Sequence, residues 1–77
     1  MNEYKRSAKQ FAEETYNSFR LDCKGENCKE RSIDESIKEI KKLIENIDKI
    51  KIILPNLWLK EFTFYVITLD YLYKMKK

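Results

Sequence analysis

Five isoleucines, Ile33, Ile37, Ile40, Ile44 and Ile47, recur with a 4-3-4-3 spacing in a chain of 77 residues. That spacing holds one stripe of side chains on one side of a helix and cannot fit the period of two that a strand requires. Leu43 and Ile50 widen the stripe along one edge. The opposite face alternates in charge: Asp34/Lys38 and Glu45/Lys49 stand four apart with the acid first, the order that supports a helix. A stripe this regular must be covered. Isoleucine at both seam positions of a coiled coil favours trimers or tetramers, yet about three heptads are short for an independent coiled coil. The stripe therefore reads first as the core of a bundle formed within one chain.

The rest of the chain must then supply the covering helices, and its punctuation places them. There is one glycine and one proline, too few breakers for a sandwich of many short strands. Residues 2–21 read as an amphipathic helix with Tyr4, Ala8, Phe11, Ala12, Thr15 and Phe19 on one face, where the two alanines let a neighbour come close. Asp22 to Arg31 holds the glycine and reads as a loop. Ser32 and Glu35 form an S-x-x-E capping box, which predicts a second helix over 32–54. Pro55 must end or kink it, because proline disfavours a helical residue before it. Ile52 and Ile53 point off the stripe, so its last turn is covered or distorted.

The third segment, 56–75 with Asn56 as its N-cap, is apolar on more than one side. Trp58, Phe62, Tyr65, Val66, Leu69, Leu72 and Tyr73 occupy one broad arc, read as facing the bundle. Leu57, Phe64, Ile67, Tyr71 and Met75 form a second stripe, which the first two helices cannot easily cover. An aromatic- and methionine-bearing patch left over has the composition of an interface core. The alternative is that this helix is central and threaded between the others. Residues 62–69, FTFYVITL, are also good strand formers, but nothing else in the chain alternates with period two. A strand there would have to pair with another molecule.

Chemistry is sparse. The chain has no histidine, which removes the commonest general base and metal ligand, and it carries no phosphate-cradling glycine loop or nucleophile motif. No enzymatic activity, metal or cofactor is expected. Cys23 and Cys28 stand five apart, wider than the C-x-x-C of thiol oxidoreductases. Two free thiols are the expectation for a reducing cytosol, and a disulfide closing this loop is the alternative. The net charge of +3, from sixteen basic and thirteen acidic residues, is less lopsided than that of most nucleic-acid binders. Lys38, Lys42 and Lys49, with the tail Lys74, Lys76 and Lys77, could still attract phosphate weakly. Leu57 to Tyr73 carries Lys60, Glu61 and Asp70 and is not a membrane span, and the opening residues resemble no signal peptide. A cytoplasmic location without a membrane partner is the expectation.

Together these features predict an all-α fold over 1–77, a single small three-helix bundle that is also able to dimerise. A domain of this size buries only about 60% of its chain's surface, so its stability is marginal without a staple or a partner. In general character, small, lysine- and isoleucine-rich and helical, the chain resembles phage, plasmid and archaeal-virus accessory proteins. That likeness covers no motif and carries no residue across. The expected function is a protein-binding module, an adaptor or an inhibitor of a host protein, acting through Leu57, Phe64, Ile67, Tyr71 and Met75. Serine at Phe64 and Tyr71 is then expected to abolish binding and leave helicity intact. The alternatives are a small nucleic-acid-binding regulator and a structural homo-oligomer.

Overall fold

A computed structural model describes residues 7–76. They form three α-helices, α1 (Ala8–Asp22), α2 (Cys28–Ile47) and α3 (Pro55–Met75), with a short 3-10 turn at Asp48–Ile50 and no strand among them. Each helix packs on the other two. The chain is therefore a small all-α three-helix bundle, and residues 62–69 are helical within α3. The alternative of an intermolecular strand falls away because the backbone hydrogen bonds are closed inside the helix.

Ser7 starts α1, its Oγ accepting from the Gln10 N–H at 3.1 Å. This satisfies one of the four donors that a first turn leaves unpaired. Tyr4 and the rest of the predicted first turns lie outside the described residues. As the sequence predicts, Ala12 is fully buried, and it sits in the core with Ile33, Ile37, Ile40 and Leu72. Phe11, Tyr16, Tyr65, Leu69 and Met75 are among the half-buried side chains packed around that core.

The second helix begins four residues earlier than the capping box predicts. Ser32 is not a cap but an interior position of α2, and its buried Oγ makes no hydrogen bond among the described residues. The start is set instead by a Cys23–Cys28 disulfide with Cα atoms 5.7 Å apart. The expectation of two free thiols gives way to this bond. It joins the C-cap of α1 to the first residue of α2 and shortens the loop to residues 23–27. The chain reverses there through Gly25, at φ +103°, and Asn27, at φ +59°, both left-handed conformations that favour these residue types. A cross-link over so short a loop contributes about 2 kcal/mol by the chain-entropy argument. Replacing both cysteines with serine should lower the melting temperature by about 10 °C, read by circular dichroism. An unchanged melt, with and without reductant, would show that the bond does not hold the fold.

The far end of α2 also departs from the prediction. The helix stops at Ile47, tightens into the 3-10 turn and ends in a turn over residues 51–54 rather than running to Leu54. Pro55 is the cause. It occupies the first turn of α3, where its fixed φ suits a helix and its missing N–H costs nothing, and it forces Leu54 out of helical geometry, to φ −132° and ψ 71°. Leu54 is thus the N-cap, and Asn56, the predicted cap, already lies inside the helix. At the opposite end, Lys76 Nζ donates to Asp34 Oδ1 at 2.8 Å, fixing the C-terminus of α3 beside the start of α2. That hydrogen bond and charge raise the pKa of the Lys76 ammonium.

Candidate interaction surface

The inward side of α3 is narrower than its composition suggests. Thr68 and Leu72 are fully buried, and Thr68 escapes the cost of an unpaired hydroxyl by donating to the Phe64 carbonyl at 2.8 Å. Tyr65 lies beside them; burial, and secondarily the charge of Glu61, push its phenol pKa upward. Two apolar flanks rise from this centre line. One leans on α1: Phe64 stacks on Phe11 with ring centroids 5.5 Å apart, and Tyr71 and Met75 line a shallow groove with Lys9 and Ala12. The other holds Trp58, Phe62 and Leu69, with Trp58 stacked on Phe62 at 4.8 Å and Lys51 Nζ 4.9 Å above the indole.

Beyond the second flank stands a rank that the described parts of α1 and α2 leave largely exposed. Leu59, Val66 and Tyr73 are 56%, 42% and 44% exposed and lie seven residues apart on one line of the helix. With half-buried Phe62 and Leu69 between them they make a 3-4-3-4 seam, the pattern of a helix prepared to hold a second helix. Thr63 and Asp70 edge the seam as exposed polar residues, and Asp70 is paired with Lys74 at 3.1 Å.

Of the five residues singled out in sequence, Phe64, Tyr71 and Met75 are half-buried against α1 and the core, while Leu57 and Ile67 remain exposed. The structure does not bring the five together as one open patch. Sequence reasoning missed Leu59 and assigned Val66 and Tyr73 to the interior. The seven-residue spacing of Leu59, Val66 and Tyr73 was the available signal, but the aromatic weight of the same arc pointed inward.

The charged faces offer less. Lys38 and Lys42 on α2 and Lys49 in the 3-10 turn are exposed, with Glu35, Glu39 and Glu45 on the same stretch. Two of the three tail lysines are engaged, Lys74 by Asp70 and Lys76 by Asp34, and Lys77 lies outside the described residues. The groove between α1 and α2, lined by Phe19, Cys23, Arg31, Ser32, Glu35 and Lys38, mixes both signs of charge. Among the described residues no three acidic or cysteine side chains converge as a metal site requires. No described helix is long and apolar enough to cross a membrane.

No known protein family matches the chain, and no characterised protein or solved structure shows significant similarity to it.

Proposed function

We propose that the protein is a non-enzymatic binding module that holds an amphipathic helix of a protein partner along the outer seam of α3, as an adaptor or inhibitor would. One observation carries this reading. Leu59, Phe62, Val66, Leu69 and Tyr73 follow seam spacing, and among the described residues the outer rank of three stays 42–56% exposed. Apolar side chains at that spacing gain free energy only when a second helix fills the gaps between them. The seam replaces the stripe of Leu57, Phe64, Ile67, Tyr71 and Met75 as the contact surface, with Ile67 exposed on the other side of the helix. A nucleic-acid role has less support, because Lys74 and Lys76 of the tail are engaged by carboxylates of the same chain.

A photo-crosslinking residue at Val66 tests the proposal. In cells of the native host it should give one discrete protein adduct, lost when Leu59 and Tyr73 are both changed to serine. The same residue at Lys42, on the outer face of α2, should give none. An adduct of twice the chain's mass would identify the partner as a second copy. Equal labelling from positions 66 and 42, or an adduct indifferent to Leu59 and Tyr73, would sink the seam as the binding surface.

A further inference from the structure

The turn between α2 and α3 projects Ile52, the most exposed large apolar residue of the described chain, and a run of exposed apolar neighbours. Ile52 and Ile53 are 91% and 75% exposed, and Leu54 and Leu57 follow them on the surface at the start of α3. The charge around them is equally uneven. Residues 49–60 hold Lys49, Lys51 and Lys60 and no acidic residue. Asp48 and Glu61 flank this basic run, and two other stretches, 5–10 and 71–77, also hold three basic residues and no acidic one. All three lysines are exposed. The one tryptophan of the chain, Trp58, lies at the base of the turn under the Lys51 ammonium.

We propose that this tip docks the protein on the surface of an anionic lipid bilayer. Ile52, Ile53, Leu54 and Leu57 enter the boundary between headgroups and acyl chains, and Lys49, Lys51 and Lys60 lie against the lipid phosphates. The shape argues for a bilayer over a protein groove. Ile52 and Ile53 sit on the turn that joins α2 to α3 and stand 91% and 75% exposed, lining no groove of the described chain. A fluid surface accommodates a convex tip, and lysine stems can bury along it while their heads stay at the phosphates. Tryptophan is at home at the same depth. The expectation of no membrane partner rested on the lack of a span, and surface docking needs none. The proposal is independent of the α3 seam.

Trp58 is the natural reporter. Its emission should shift to the blue on titration with vesicles of phosphatidylcholine containing about one-third phosphatidylglycerol, because the anionic leaflet attracts nearby lysines. Pure phosphatidylcholine should bind about 100-fold more weakly, from three lysines at roughly fivefold each. Serine at both Ile52 and Ile53 should weaken binding to the anionic vesicles by at least about tenfold, since each isoleucine loses its apolar burial. The melting curve should not move, because both side chains are already in water. Should that variant melt lower, glutamine at Lys49, Lys51 and Lys60 provides the second arm and must erase the preference for anionic vesicles. Absence of binding to anionic vesicles would overturn the proposal. Binding that ignores both sets of substitutions would overturn it too. A protein adduct from a photo-crosslinker at Ile53, with no vesicle binding, would assign the tip to a protein instead.

Discussion

Alanine at Ile40 is expected to cost about 3–4 kcal/mol, the range for removing a fully buried isoleucine and leaving a cavity. Ile40 is inaccessible to solvent and lies in a core that holds, among the described residues, only four other buried apolar side chains, Ala12, Ile33, Ile37 and Leu72. A small domain has a total stability near the low end of about 5–15 kcal/mol, so this one substitution should remove most of it. The melting temperature should fall by roughly 15–25 °C. Alanine at Ile47, on the same stripe but half-buried, should cost about half as much, since the loss scales with the apolar area returned to water. Thermal and urea unfolding of the two variants would give both values. Equal, small losses would mean that the stripe is a seam between molecules and not the core of this one.

The second large effect is at Phe64, and it reverses what the sequence suggests. Serine there should cost about 2–3 kcal/mol, because a half-buried aromatic would be lost from a cluster. Its ring stacks on Phe11 and meets Tyr65 edge-on with centroids 5.7 Å apart, so the change unpins α1 from α3. Helicity and the melting temperature should fall together. Serine at Val66, two residues away on the exposed seam, should change stability by no more than about 0.5 kcal/mol. The pair of variants separates two readings of one helix: Phe64 holds the bundle, and Val66 faces outward. A Phe64→Ser protein that melts like the parent would restore Phe64 to the binding surface.

Much of the architecture was legible because local rules carry it. The isoleucine spacing declares α2 and its buried side, and Ile33, Ile37 and Ile40 are buried as that spacing requires. Pro55 separates α2 from α3 because its ring fixes one torsion and excludes helix from the residue before it. Ala12 marks where α1 comes close. The capping box misled for a reason that is also physical. A cap pattern states a local preference worth about 1 kcal/mol. The bond between Cys23 and Cys28 fixes the start of α2 four residues earlier and carries Ser32 into the interior.

The orientation of α3 was the part out of reach, and the candidate surface went with it. A helix that is apolar nearly all round carries no local marker of its inward side. The marker expected in sequence, a polar residue facing water, is inverted at Thr68, which is buried with its hydroxyl bonded within its own helix. Ser36 does the same on α2, donating to the Ser32 carbonyl at 2.7 Å. Small side chains on the facing sides let the helices approach closely, so fit outweighs hydrophobicity at those positions. The sequence alone determined that there are three helices, where the chain breaks between them and which stripe of α2 is buried, because torsional preference and periodicity act within a few residues. Only the tertiary structure decided that Phe64 turns inward while Leu59, Val66 and Tyr73 stay in water, because that choice depends on how three surfaces interlock.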